Sequence, residues 1–241
     1  MPENHCINNE HLIYNSFLFS QENMDRLKDL MIDEELAKDS YLFNEGDRSD
    51  SLYFIKEGAV KLTRVTDDGK DLTLYYYQAG DIFGEFGEIP AASHQAFSAI
   101  ATCDCKIGVL NREDLEIAIW QYSDLGIDFI NWVSHMNRFT QLKLRDLMFF
   151  GKLGALASTL IRIANTFGME NEDAIFISEK FTNQELASMI GSTRETVNRM
   201  LSQLKKEGII HYENGKLVIL DIGYLRQICH CEGCPKHICR L

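Results

Sequence analysis

The strongest constraint on this chain is a change of hydrophobic period near residue 110. From Ser40 to about Leu110, short β-type runs alternate with turn signals. The turns are Glu45-Gly46-Asp47, Glu57-Gly58, Asp67-Asp68-Gly69, Ala79-Gly80-Asp81 and Phe83-Gly84; the runs between them include Leu52-Tyr53-Phe54-Ile55, Ala59-Val60-Lys61-Leu62-Thr63 and Leu72-Thr73-Leu74-Tyr75-Tyr76-Tyr77. Short strands at roughly ten-residue spacing predict a β-barrel or jelly roll. Asp68-Gly69 reads as a hairpin turn, because Gly takes a positive φ without steric cost. From Arg112 to about Phe150 the period becomes helical, with Leu125, Phe129, Trp132, Met136, Phe139 and Leu147 at three- and four-residue steps, widened by Ile130, Val133 and Leu144. So broad an apolar face needs a partner, either the chain's own core or a second copy; the homodimer seam is the favoured reading. Ahead of the strands, Met24, Leu27, Leu30 and Met31 predict a helix from Gln21 to Leu36.

A second helix-rich unit follows Gly151. Leu153 to Phe167 is amphipathic, and Thr182 with Glu185 forms a capping box at the start of the next helix. After Gly191, Ser192 caps a further helix with Glu195 three positions on; Val197, Met200, Leu201 and Leu204 share one of its faces and Gly208 ends it. Ile209–Tyr212 and Lys216–Leu220 flank Glu213-Asn214-Gly215, a hairpin signal, and Asp221 caps a last short helix. Helix, tight turn, helix and β-wing is the order of a winged helix-turn-helix. Arg194, Glu195, Asn198 and Arg199 lie on the face opposite the apolar one. Arg donates two bonds to guanine and Glu accepts from cytosine, so this face suits a DNA major groove. Ser192 and Thr193 at the turn are further candidate contacts, and Lys205, Lys206 and Lys216 suit phosphate. The plain alternative is a helical hairpin with a charged solvent face.

Charge first argues against DNA, since the chain carries 24 Lys+Arg against 36 Asp+Glu, a net −12. The excess is local. Residues 1–150 hold 13 basic and 26 acidic side chains, a net of −13; residues 151–241 hold 11 and 10, a net of +1. The acid therefore belongs to the β-rich half. The longest apolar runs fall short of the ~20 residues a membrane helix needs, and Met1–Glu10 is polar with no secretory pattern. The expected location is cytoplasmic, with no membrane partner. No Gly-rich phosphate loop, metalloprotease helix motif or nucleophile–base pairing suggests an enzyme.

Four of seven cysteines, Cys229, Cys231, Cys234 and Cys239, lie in the last 13 residues. In a reduced compartment, clustered thiols point to metal or redox chemistry rather than disulfides. Cys231-x2-Cys234-x4-Cys239, with Pro235 after Cys234, has the tight spacing and Cys-Pro step of iron–sulfur sites. Zinc usually takes two separated ligand pairs. Iron–sulfur is the preferred reading, ahead of zinc or thiol redox chemistry, with Cys229, His230 and His237 as spare ligands. Cys103 and Cys105 alternate around Asp104 on a predicted strand, so at least one belongs in the core.

Gly191-Ser192-Thr193-Arg194-Glu195-Thr196-Val197-Asn198-Arg199, with Leu201 and Leu204, resembles the recognition element of CRP/FNR transcription factors. Phe43-Asn44-Glu45-Gly46-Asp47, Leu52-Tyr53-Phe54-Ile55, Gly58, Gly80-Asp81-Ile82-Phe83-Gly84-Glu85 and Ala101-Thr102-Cys103 resemble that family's cyclic-nucleotide-binding β-roll. The likeness runs from about residue 20 to 222. It implies an α+β chain with four parts: a β-roll sensor domain (1–122), a dimerisation helix (123–150), a winged helix-turn-helix (151–222) and a cysteine-rich tail (223–241). It implies a homodimer that acts with RNA polymerase. It also implies a two-fold symmetric DNA site with TGTGA-like half-sites, because Arg194, Glu195 and Arg199 match the family's Arg, Glu and later Arg.

The family's phosphate-binding cassette opens Gly-Glu and runs on to an Arg. Gly84-Glu85 is present, but no Lys or Arg occurs from Glu85 through Cys105, where the chain reads Ala91-Ala92-Ser93-His94-Gln95-Ala96-Phe97-Ser98. No cyclic nucleotide is therefore expected. A C-terminal Cys-x2-Cys-x4-Cys resembles the Fnr-type anaerobic regulators of bacilli, whose [4Fe-4S] cluster takes an Asp near the end of the dimer helix as fourth ligand. Asp146, in Leu144-Arg145-Asp146-Leu147, matches by position, with Cys229 the alternative. The resemblance implies an oxygen-responsive regulator, mostly an activator of anaerobic genes.

Overall fold

The computed structural model describes residues 13–66, 69, 71–85, 94–171 and 174–241. Cys6, Asp67, Asp68, Ala91, Ala92 and Ser93, singled out above, lie outside them. The chain divides into two compact units, Met1–Arg64 with Leu74–Met136, and Val65–Thr73 with Asn137–Leu241.

The first unit starts with a 3-10 turn, Asn15–Leu18, and helix α1, Gln21–Leu30. Ser20 caps α1 by accepting the Asn23 N–H. The helix expected to reach Leu36 stops at Leu30: Met31 is extended, and Ile32–Leu36 forms strand β1. Pairing with a later strand supplies β1's backbone hydrogen bonds and overrides local preference. Its Asp33-Glu34-Glu35 run then lies on an exposed sheet edge, where charge discourages further pairing.

Seven strands follow: β2 (Tyr41–Phe43), β3 (Ser51–Glu57), β4 (Ala59–Val65), β5 (Asp71–Gln78), β6 (Ile82–Phe83), β7 (Ser98–Ala101) and β8 (Cys105–Asn111). They form two four-stranded sheets, ordered β1-β8-β3-β6 and β2-β7-β4-β5, as the turn spacing predicts. Phe43, Tyr53, Ile55, Leu62, Tyr77, Phe83 and Ile107 pack in a shared core with both Cys103 and Cys105. Gly58, at φ +94°, ends β3 where a Cβ would lie 2.5 Å from Cys105 Sγ and 2.7 Å from the Asp104 carbonyl oxygen. No other residue fits that corner.

The helical period beyond β8 is two helices, α2 (Arg112–Gln121) and α3 (Ser123–Phe149). Tyr122 breaks them: it is extended and its N–H donates back to Ala118, closing α2. Its ring lies under the Arg26 guanidinium, 4.0 Å from the centroid. The apolar stripe of α3 resolves into two faces. Leu125, Trp132 and Phe139 are buried, whereas Ile127, Ile130, Val133, Leu144 and Met148 are exposed.

In the second unit, α4 (Gly151–Phe167) is buried along most of its length from Gly154. A hairpin of β9 (Gly168–Asn171) and β10 (Ala174–Ile177) follows, then α5 (Asn183–Met189), α6 (Arg194–Lys206), β11 (Ile210–Glu213), β12 (Lys216–Ile219) and α7 (Ile222–Ile228). The wing is wider than sequence alone suggests: β10 pairs with β12, giving one sheet ordered β11-β12-β10-β9. Leu186, Ala187, Val197, Leu201, Leu204 and Leu225 are buried with Leu156, Leu160 and Ile163 of α4. Among the described residues no helix is long and apolar enough to cross a membrane.

Candidate nucleic-acid interface and metal centre

Local bonding fixes the two helices that resemble a DNA reader. Thr182 Oγ1 accepts the Glu185 N–H at 3.1 Å, and the Glu185 carboxylate accepts the Thr182 N–H at 2.7 Å. This reciprocal cap starts α5 where predicted. Gly191, at φ +55°, makes the turn. Lys152 of α4 donates to the Ile190 and Gly191 carbonyls at 3.3 and 2.7 Å, satisfying acceptors that the end of α5 leaves open. The cap of α6 is Thr193, not Ser192. The Ser192 N–H closes the preceding turn on the Ala187 carbonyl, and Thr193 Oγ1 accepts the Thr196 N–H.

Val197, Met200, Leu201 and Leu204 face inward, while Arg194, Glu195, Asn198 and Arg199 are exposed together. Asn198 Oδ1 accepts from the Asn183 amide at 3.1 Å, so its orientation is fixed from α5. Thr193 is exposed at the helix start, Ser192 is half-buried, and Lys205 and Lys206 are exposed in the last turn. Asn214 and Gly215 both take positive φ, +52° and +77°, as an Asn-Gly hairpin requires. Asp221 caps α7 through the Tyr224 N–H.

The tail is gripped by one edge of α4. Arg162 Nη1 lies 3.4 Å from the Ile238 carbonyl and 3.5 Å from that of Arg240. The Asn165 amide donates to the Cys239 carbonyl at 2.6 Å, and Thr166 Oγ1 accepts the Leu241 N–H at 3.1 Å. Positions 162, 165 and 166 share one helical face. Within the tail, the Ile238 and Cys239 N–H groups both donate to the Pro235 carbonyl, and the Cys231 N–H returns to Arg226. Cys231, Cys234 and Cys239 are half-buried and Cys229 is buried.

Asp146, only 5% exposed, lies close by. Its Oδ1 accepts from Arg145 at 2.8 and 3.1 Å, and its Oδ2 accepts from Arg162 at 2.9 Å and from the Ser158 hydroxyl. Arg145 also pairs with Glu232 of the tail at 2.7 Å. Burial alone would raise the Asp146 pKa; the Ser158 and Arg162 hydrogen bonds and the arginine charges outweigh it and hold the carboxyl below its usual range. Burial raises the Cys239 thiol, which Arg162 lowers and Cys231, Cys234 and Asp146 raise further. Cys229 is pushed up to about 12, by burial first and then by the charges of Cys231 and Asp146. Cys231, Cys234 and Asp146 thus each lie within electrostatic reach of Cys239. Among the described residues, no three His, Cys, Asp or Glu side chains stand close enough to hold a single ion.

Sequence reasoning missed Arg145, Ser158, Arg162 and Glu232. Two of them left a trace: Ser158 and Arg162 are polar interruptions, four residues apart, in the apolar run Ala155–Ala164.

Residues 33–122 match the cyclic nucleotide-binding domain family, and residues 154–228 match the Crp-like helix-turn-helix domain family. The chain is 39% identical to the anaerobic regulatory protein of Bacillus subtilis, over 94% of this chain and 95% of that one. It is 28% identical to a CRP-like cAMP-activated global transcriptional regulator of Mycobacterium tuberculosis, over 75% of this chain and 80% of the other. Among solved structures, a CooA mutant from Carboxydothermus hydrogenoformans matches with a TM-score of 0.74 and 21% identity, over 92% of this chain and 97% of that one. FixK2 from Bradyrhizobium japonicum matches with a TM-score of 0.69 and 19% identity, over 82% of this chain and 96% of the other. A β-roll, a long helix and a winged helix-turn-helix in this order, with that near full-length relative, establish that the chain belongs to the CRP/FNR family of transcription regulators.

Proposed function

We propose that this protein is an oxygen-responsive, DNA-binding transcription regulator, working as a homodimer, in which a [4Fe-4S] cluster held by Cys231, Cys234, Cys239 and Asp146 controls operator binding. The observation that carries the reading is that Asp146, distant in sequence, lies within electrostatic reach of Cys239 and Cys229 in the tail. The donor set fits: three thiols with one carboxylate suit iron–sulfur chemistry. When bound, the cluster would supply reactivity toward oxygen. This chain's residues do the rest. Arg162, Asn165 and Thr166 hold the tail against α4, and Arg145 ties Glu232 to the end of α3. Asp146 must give up one of its arginine or serine partners to serve as a ligand.

For DNA, Arg194, Glu195 and Arg199 are the candidate base readers of a TGTGA-like half-site. Ser192, Thr193, Asn198, Lys205 and Lys206 are assigned to supporting or phosphate contacts. The exposed apolar face of α3 is assigned to the dimer seam, and RNA polymerase is the expected partner at the promoter. The acidic β-roll, with no Lys or Arg from Glu85 to Cys105, is read as not taking a cyclic nucleotide.

Anaerobic purification with iron and sulfide assays and a visible spectrum tests the cluster, and operator binding with and without air tests its role. Stoichiometric iron and sulfide, and much weaker binding after exposure to air, are expected. Equal binding in both states, or an unchanged iron content and spectrum in Asp146→Ala, refutes the corresponding assignment.

A further inference from the structure

The carboxylate of Asp146 is fully subscribed. A carboxylate offers about four lone-pair positions, and four donors reach this one. Arg145 Nη2 and Nε lie 2.8 and 3.1 Å from Oδ1; Arg162 Nη2, at 2.9 Å, and the Ser158 hydroxyl donate to Oδ2. A metal-ligating oxygen needs one of these positions cleared, and the donors differ in what leaving costs them. Arg162 is 4% exposed, so drawing it off Asp146 strands a buried charge. Ser158 is buried on α4 as well. The Arg145 side chain is 23% exposed, and its remaining terminal nitrogen, Nη1, lies 2.7 Å from Glu232 Oε2. One guanidinium thus stands between two carboxylates. It can trade its bonds to Asp146 for a two-nitrogen fork on Glu232.

Glu232 lies between Cys231 and Cys234, where Gly233, at φ +70°, turns the chain and its N–H lies 3.5 Å from Cys231 Sγ. An acid in this loop is unfavourable on charge alone, because the thiols beside it must ionise to ligate. Pairing with Arg145 gives it a purpose. The Phe150 ring joins the same corner: its centroid lies 5.8 Å from the Arg145 guanidinium and 5.3 Å from the His230 ring, next to Cys231. All these residues belong to the second unit. We propose, building on the assignment of Asp146 and the three thiols to a cluster, that Arg145 is a positioning residue exchanged between two carboxylates: Glu232 of the docked cysteine loop draws it off Asp146 Oδ1 and frees that oxygen to ligate, while Arg162 and Ser158 keep Oδ2 and aim the carboxylate. While Arg145 stays on Oδ1, that oxygen is closed. The group that opens it is carried by the loop that carries two of the thiols, so the fourth ligand becomes available only when the loop is in place.

Iron release tests the exchange. The full chain and its variants are reconstituted anaerobically with iron and sulfide, and loss of visible absorbance is followed against ferrozine without air. Glu232→Gln leaves Arg145 on Asp146 and should release iron about tenfold faster than the parent. Arg145→Met removes the competitor, so it and the double variant should stay near the parent rate. If Glu232 merely anchors the tail, Arg145→Met breaks the same tie and releases iron as fast as Glu232→Gln. That equality, or a double variant as fast as Glu232→Gln alone, overturns the proposal. In the cluster-free protein, iodoacetamide labelling read by mass spectrometry should quicken at Cys231 and Cys234 in both single variants. Cys239, whose carbonyl accepts from Asn165 of α4, should not change. Unchanged labelling at Cys231 and Cys234 also overturns the proposal. A parent chain that takes up no iron and sulfide overturns the cluster assignment and the exchange together, whereas a loaded parent with the wrong variant pattern overturns the exchange alone.

Discussion

Replacing Arg162 by Met tests whether the buried charges around Asp146 form one unit. Arg162 is 4% exposed and its guanidinium meets Asp146 Oδ2 at 2.9 Å. With an effective dielectric of about 20, that separation corresponds to about 6 kcal/mol of attraction, opposed by the desolvation of both ions. Breaking one side of such a pair costs about 3–5 kcal/mol when the other ion is stranded. Asp146 is not fully stranded here, because Arg145 and Ser158 still donate to it. The bonds to Ile238 and Arg240, at 3.4 and 3.5 Å, are long and add little. The expected loss is therefore about 3 kcal/mol, roughly a hundredfold in the unfolding equilibrium. Urea unfolding of the metal-free protein at fixed concentration, followed by circular dichroism, measures it. Arg162→Met, Asp146→Asn and the double variant close a thermodynamic cycle, with an expected coupling of about 2 kcal/mol. A loss within about 0.5 kcal/mol for Arg162→Met, or strictly additive single changes, would refute the reasoning.

Arg194→Ala should cost about 1–3 kcal/mol of operator affinity and relax preference at one base pair, read by competition with variant operators. Uniform weakening on every sequence would instead make Arg194 a phosphate contact. Lys143 is buried, and burial followed by the Arg162 charge lowers its pKa to about 7 from 10.5. The unfolded chain then holds a proton that the folded chain has released between those values. Stability from this group is present above pH 10.5 and is lost as pH falls through about 7, by at most ~1.4 kcal/mol per pH unit. Lys143→Met should be more stable than the parent near neutrality, with the difference shrinking toward alkaline pH in parallel urea titrations. Thr182→Ala should cost about 1 kcal/mol through the lost cap of α5, whereas Thr182→Ser should cost less, by the same unfolding assay.

What could be read from sequence was mostly local. The Thr182–Glu185 box, the Asn214-Gly215 hairpin and the Asp221 cap each depend on residues within three positions, and each forms as written. The β-roll was legible because its glycines mark turns. Features set by distant pairing were not. Nothing in Gln21–Leu36 reveals that β8 will draw Ile32–Leu36 into a sheet, and nothing local announces that β9 and β10 will widen the wing. Thr193 displaces Ser192 as the cap because the Ser192 N–H is already committed to the turn. In the tail, cysteine spacing flagged three candidate ligands, and resemblance rather than spacing singled out Asp146. The shell of Arg145, Ser158 and Arg162 emerges only when α3 and α4 bring positions 146, 158 and 162 together.

The two tryptophans lie a dozen positions apart in sequence but in opposite environments. Trp120 is 92% exposed on α2 and Trp132 is 4% exposed, packed on the β-roll. Their fluorescence should therefore separate without any labelling. Trp120 should emit to the red and be extinguished by iodide, while Trp132 should emit to the blue and survive it. The iodide-resistant fraction is a built-in optical gauge of the β-roll interior, and the quenchable fraction reports on whatever comes to cover α2.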